Sequence, residues 1–337
     1  MDVGELLLGV GRFVLATTLL LILTVPTAFI VIQLELKVIA LMQLRYGPNR
    51  VGPRGMFQST IHGFKVLAKE DTTPDQADRS TFTMAPWMVF MAAAMSMLVI
   101  PFAPGLVAID SSISVVYFFA VLGLSVVGLL VAGWASYNKY SLLGGLRSAA
   151  QMVSYEIPLT LSVVGVVVLA GTLNFRELIE WQRAHGWMLI WQPVALVIFY
   201  IASLAEINRT PLDMVEADSE LVAGPFTEYS GMRFGFFFFA EYVALFIMSG
   251  IMISLFFGGW LAPWPFPDQL DGFIGTVYGV LWFFIKTYIF IAIAVLLRAT
   301  LVRVRVDQLM GMAWKVLLPL AMVNLIVTAV AVLVFKL

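Results

Sequence analysis

Residues 235–258 read GFFFFAEYVALFIMSGIMISLFFG, 24 residues with one charged side chain, Glu241. A run this long and apolar suffices for an α-helix to cross the hydrocarbon core of a bilayer, where every backbone N–H and C=O must be satisfied within the segment. Similar runs occur at about 8–33, 82–103, 113–136, 150–171, 190–207, 273–297 and 313–335, which makes eight expected spans. Over the 337 residues, 61% are hydrophobic and 12% charged, against roughly 45–50% and 25% in soluble domains. Lipid must therefore be part of the solvent. The fold class expected is an all-α polytopic membrane protein, residues 1–337 forming a single transmembrane domain.

Composition also excludes classes of function. The net charge of −1 lacks the basic bias that nucleic acid demands. There is no cysteine, and the histidines are His62 and His185. No Fe–S cluster can be held by the usual thiolates, and two distant histidines make a poor haem or zinc site. Any electrons handled near this chain are expected to come from a partner. The start, Met-Asp-Val-Gly-Glu, lacks a basic n-region, so the first apolar run is expected to remain as a span.

Fifteen of the 20 Lys and Arg residues fall in the loops after spans 1, 3, 5 and 7. The positive-inside rule then puts those loops in the cytoplasm and both termini on the periplasmic side. The first of these loops contains RYGPNRVGPRG at 45–55, whose glycines and prolines predict a tight non-helical path. Beyond it, Phe57, Ile61, Phe64 and Leu67 recur near a 3.6 period beside Lys65 and Lys69, predicting an amphipathic helix in the membrane interface.

Ionisable groups inside spans cost roughly 2.5–3.5 kcal/mol each on insertion scales and so point to function. Glu156 and Glu241 are expected about two turns into spans 4 and 6, Lys286 near the middle of span 7, and Glu35 and Glu206 at the ends of spans 1 and 5. All are expected to cluster in one half of the bilayer. The loop 206–234 carries Glu206, Asp213, Glu216, Asp218, Glu220 and Glu228 against Arg209 and Arg233, an acidic segment on an otherwise basic side. If 212–222 were helical, Asp213, Glu216 and Glu220 would share one face. Three carboxylates so placed repel, which raises proton affinity and couples their titration. No phosphate-binding glycine motif accompanies them.

These segments resemble a known family. The carriers are Gln43–Pro53, Lys69-Glu70, Gly133-Trp-Ala-Ser with Asn138-Lys-Tyr, and Leu146-Arg-Ser-Ala-Ala-Gln with Ser154-Tyr-Glu. Further carriers are Ala205-Glu-Ile-Asn-Arg-Thr-Pro-Leu-Asp, Glu220-Leu-Val-Ala-Gly, Glu228-Tyr-Ser-Gly and Arg303-Val-Arg-Val-Asp-Gln-Leu-Met. Together they resemble, over essentially the whole chain, the quinone-site membrane subunit of respiratory complex I, the H subunit of the bacterial enzyme.

The resemblance implies a bacterial inner-membrane subunit of proton-translocating NADH:quinone oxidoreductase. It would line the tunnel by which quinone, as substrate, leaves the lipid and meets an Fe–S cluster in a peripheral-arm partner. Antiporter-like membrane subunits would be its other partners, and the chain would bind no cofactor of its own. Carried over by position, the tunnel and proton-coupling residues are Glu35, Arg45, Lys65, Arg147, Glu156, Glu206, Arg209, Asp213, Glu216, Asp218, Glu220, Phe226, Glu228, Tyr229, Arg233, Glu241, Lys286 and Arg298. The sequence departs from the family pattern at Leu36, where many relatives have Arg, at His62, where Asp is usual, and at Pro225-Phe226 in place of an aromatic-His pair. Two rival readings use the same charges. One is a secondary transporter or cation channel, and the other is the homologous subunit of a membrane-bound hydrogenase.

Overall fold

The computed structural model describes residues 3–215, 221–263, 266 and 272–335, and for most residues before Thr24 it describes the backbone alone. Glu216, Asp218 and Glu220 therefore lie outside the described residues. Among those described the secondary structure is helical, with no strand. Long helices run over Val3–Met42 (α1), Arg79–Ser96 (α3), Ser114–Ala135 (α4), Lys139–Ala170 (α5), Gly231–Phe256 (α9), Gly272–Thr300 (α10) and, across a π-turn at Ala313–Leu317, Val306–Met312 (α11) with Leu318–Phe335 (α12). Between them lie α2 (Gln58–Leu67), α6 (Phe175–His185), α7 (Met188–Trp191) and α8 (Pro193–Glu206).

Seven of these segments are long and apolar enough to cross a membrane. The expected fifth span is shorter than its 190–207 run, because α7 stops at Trp191 and Pro193 restarts the chain as α8, a 14-residue helix. Proline suits a first helical position, where its missing N–H leaves no bond unmade. Two expected boundaries also move. Glu35 lies inside the 40-residue α1 rather than at its end. α5 starts at Lys139, where the Asn138 side chain accepts the Tyr140 N–H as an N-cap. Glu156 is then about 26 Å along α5 at 1.5 Å per residue, deeper than a helix starting at residue 150 implies.

The core forms around α9, where 72% of the most apolar window is buried, against 17% for the last helix. α3, α1 and α10 pack on α9, while α4, α5 and α8 follow as a second group and α12 closes against α5. Helix contacts with lipid-like surroundings gain nothing from the hydrophobic effect, so interhelical polar contacts matter here. One such contact is buried at the α5–α8–α12 junction, where Gln192 Nε2 donates to Thr328 Oγ1 at 2.5 Å and Asn324 Nδ2 donates to Gln192 Oε1 at 2.8 Å. Gly165 on α5 leaves room for both amides. Asn324→Leu is expected to cost about 1–2 kcal/mol, read as a lower thermal midpoint of the solubilised protein; an unchanged midpoint contradicts the role.

The four expected basic-side loops meet at one end of the bundle. Arg233 on α9 pairs with Asp71 at 3.0 Å and donates to Thr73 at 2.6 Å, and Asn138 donates to Glu228 at 2.7 Å. Arg303 pairs with Asp213 at 3.0 Å. At the opposite end, Asn174 and Arg176 hold Asp110 at 2.7 and 3.2 Å. The Asn174 hydrogen bond and the Arg176 charge keep the Asp110 carboxyl below its ordinary range. Within the first loop, Lys37 Nζ binds Pro48 O at 2.6 Å and Arg54 O at 2.7 Å, which ties the turn 48–55 back onto α1. Gly55 in that turn has φ +76°, and a Cβ there would sit 2.0 Å from Pro48 O, so only glycine fits.

Candidate functional site

Four helical elements converge on a buried charge cluster. Arg209, in the segment leaving α8, is 1% exposed. Its guanidinium contacts Glu35 of α1 and donates to Glu241 of α9 at 2.6 Å. Arg298, near the end of α10, meets the other oxygen of Glu35 at 2.5 Å. The cluster thus holds two carboxylates against two guanidiniums and is neutral as a unit. Arg209 also lies over the ring of Tyr242, 4.6 Å from its centroid. A guanidinium suits this place because its planar fork serves two carboxylates at once and stacks on an aromatic face. Burying such charges is tolerable only when each is paired, since desolvation otherwise dominates.

A partly open cavity lies against this cluster. Its charged wall is Glu206, Asp213, Glu241 and Arg298, and its remaining wall is largely aliphatic and aromatic. Glu206 is 2% exposed, and among the described residues neither of its carboxylate oxygens has a hydrogen-bond partner. Glu156, half-buried on α5, places a further carboxylate on the helix that packs against α8.

A second, partly open cavity lies between α1, α2 and α9 and is lined almost wholly by apolar groups, among them Phe29, Phe64 and Phe239. Phe234 and Phe238 line both cavities. Phe238 in turn packs edge-on against Tyr242 with centroids 4.9 Å apart. Residues 234, 238 and 242 recur at four-residue spacing, so one stripe of α9 runs from the apolar mouth to Arg209. Composition made these rings look like lipid-facing bulk; the four-residue spacing was the available signal.

The structure brings Glu35, Glu206, Arg209, Asp213, Phe226, Glu241 and Arg298 together around the first cavity or its charge cluster. The other described candidates lie off that wall. Arg45 is exposed and donates to Gln43 at 2.6 Å. Lys65 is exposed on α2. Lys286 lies apart from the cluster: its Nζ donates to Phe257 O and Leu261 O, both at 2.8 Å, beyond the far end of α9. At 12 residues from Arg298 along α10 it is about 18 Å away from that charge. The expected single cluster of buried charges is thus two sites. Carbonyls at a helix C-terminus carry partial negative charge and accept an ammonium without a carboxylate.

Asp213 also departs from expectation. It sits in a turn, with its carboxylate accepting the Val215 N–H at 3.1 Å and pairing with Arg303, rather than on a helical face. Arg147 is half-buried on α5. Tyr229 stacks on Phe82 with centroids 4.0 Å apart and donates to Phe82 O at 3.2 Å, and burial holds its phenol above the ordinary range. It thereby fastens the loop after α8 to α3, while Glu228 ties that loop to Asn138 before α5 and Arg233 ties the start of α9 to the loop before α3.

Comparison with known proteins gives the family. The family described as NADH dehydrogenase matches residues 15–329. The chain is 47% identical over 320 residues to the H subunit of NADH-quinone oxidoreductase from Brevibacillus brevis, covering 95% of this chain and 93% of that protein. It is 47% identical over 313 residues to the H subunit of Geobacillus kaustophilus, covering 92% and 91%. The H subunit of Dehalococcoides mccartyi is 42% identical over 310 residues, 92% of this chain and 84% of that one. Matches of this extent, over a helical bundle that keeps the charged loops together, place the chain in the family of H subunits of NADH-quinone oxidoreductase, the respiratory complex I of bacteria.

Proposed function

We propose that the two cavities form one path for quinone, from the lipid through the apolar mouth between α1, α2 and α9 to the polar end of the charged chamber. The observation that carries this is their shared wall at Phe234 and Phe238. An isoprenoid tail suits the aromatic mouth, and the headgroup moves toward an Fe–S donor in a peripheral-arm partner. In this reading α8 completes a bundle of eight spans, and α2 lies in the membrane interface with the exposed Phe57 and Ile61 turned to lipid. The clustered basic loops face the cytoplasm of a bacterial inner membrane and both termini face the periplasm. Antiporter-like membrane subunits receive the signal beyond Glu156.

Reduction of a quinone creates a demand for protons. At an effective dielectric near 20, a unit charge about 4 Å away is worth about 4 kcal/mol, enough to shift a neighbouring carboxyl by about 3 pH units. Among the described residues no cation pairs with Glu206, so its protonation is free to answer a charge arriving in the chamber. The carboxylates Glu241, Asp213, Glu206 and Glu156, with Glu216, Asp218 and Glu220 on the adjoining loop, act together as the coupling path.

Glu206→Gln tests this with no change of shape. In membranes, assembly and NADH:ferricyanide activity are expected to stay normal, while proton pumping per NADH falls about tenfold. Normal pumping and normal quinone reduction in the assembled variant remove Glu206 from the path.

A further inference from the structure

The segment that carries Arg209 has a support outside the charge cluster. Gln151 on α5 is 0% exposed, and both amide protons are used: Nε2 donates to Ala205 O at 2.7 Å and to Leu212 O at 2.6 Å. Ala205 O, at the C-terminal end of α8, also accepts the Asn208 N–H at 3.1 Å. Leu212 O lies beyond the turn, next to Asp213. One neutral side chain therefore joins the two ends of an arch, residues 205–212. Between these points the chain is tightly wound: Arg209 N–H donates to Leu204 O at 3.1 Å, Leu212 N–H donates to Arg209 O at 2.9 Å, and Asn208 has φ 56°. Arg209 projects from the middle of the arch, and Glu206 follows its first fixed carbonyl.

We infer that Gln151 is a positioning residue for proton coupling, acting through the arch to keep Arg209 between Glu35 and Glu241 and to keep Glu206 at the chamber wall. The inference rests on the coupling role proposed above. The chemistry of the side chain supports it. Two carbonyls need two donors on one atom, which the amide supplies without adding a charge beside Arg209. An ionised Glu has no donor to offer. Met fills the space but takes the donor from Leu212 O and leaves Ala205 O with the Asn208 N–H alone, which is the costly way to lose a hydrogen bond. Other contacts keep the arch from collapsing when Gln151 changes, since Val304 N–H donates to Pro211 O at 3.1 Å and Arg303 pairs with Asp213. Loss of Gln151 therefore loosens the arch in a folded protein.

The test uses Gln151→Met and the milder Gln151→Asn, which keeps the amide but is too short to reach both carbonyls. Both are read in the assembled complex by amide hydrogen exchange over 205–213 and by protons pumped per NADH oxidised in vesicles. With Met, exchange in the arch is expected to rise about tenfold, and the pumping ratio to fall at least about threefold while NADH:ferricyanide activity is unchanged. Asn is expected to fall between Met and wild type in both measurements. A general packing defect would lower assembly and all activities together instead. Unchanged exchange over the arch in either assembled variant overturns the inference. Faster exchange with an unaltered pumping ratio upholds the clamp and sinks the coupling role assigned to the arch.

Discussion

Arg209→Met is expected to abolish NADH-driven quinone reduction by the complex while leaving NADH:ferricyanide activity in the peripheral arm intact. Arg209 is the cation between Glu35 and Glu241. Its removal leaves Glu35 with Arg298 and takes from Glu241 the cation it contacts, at a site where Arg209 itself is 1% exposed. Breaking a buried pair by deleting one partner typically costs about 3–5 kcal/mol, because the remaining charge stays buried and unpaired. The carboxylates relieve this by binding a proton or by drawing apart, and either response changes the charged wall of the chamber. Arg209→Lys keeps the charge but loses the fork and the stacking on Tyr242, so partial activity is expected. The check is quinone reductase turnover in vesicles at matched complex content. Wild-type turnover in Arg209→Met would show that the cluster is static scaffolding.

The second large effect is expected at the apolar mouth. Gly63 of α2 lines it, and a Cβ built there would lie 2.8 Å from the Phe29 ring of α1. Gly63→Trp forces Phe29 aside and fills the opening with an indole. Replacing a helical glycine raises helix propensity by up to about 1 kcal/mol, so α2 itself is not weakened. Turnover with a long-tailed quinone is expected to lose at least about tenfold in kcat/KM, equivalent to about 1.4 kcal/mol. NADH:ferricyanide activity should not change, and a short-tailed quinone should suffer less. Equal kcat/KM for wild type and Gly63→Trp with the long-tailed quinone would mean that quinone arrives by another route.

The two predictions probe opposite ends of one path, and they differ in how readily the sequence exposed them. Arg209 stands out in the sequence because a cation beside acidic residues at the edge of an apolar run demands a reason. Gly63 does not, since an isolated glycine in an amphipathic segment carries no signal of what faces it. The aromatic stripe at Phe234, Phe238 and Tyr242 was similarly hidden, because its residue types also suit a lipid-facing helix.

Hydrophobic run length and the placement of Lys and Arg were enough, by themselves, to establish a helical bundle whose charged loops gather at one end. Both follow from local chemistry: an unpaired peptide group or a charge in hydrocarbon costs several kcal/mol wherever it occurs. Pairing was decided only in three dimensions. Lys286 and Glu241 look alike as buried ionisable groups, yet one ends on the carbonyls of Phe257 and Leu261 and the other on Arg209. Periodicity reports which face of a helix a residue occupies, but not which neighbour that face meets. Gln151 is the clearest case, because its role depends on two backbone carbonyls 54 and 61 residues away. Only the folded chain brings them within reach of one amide.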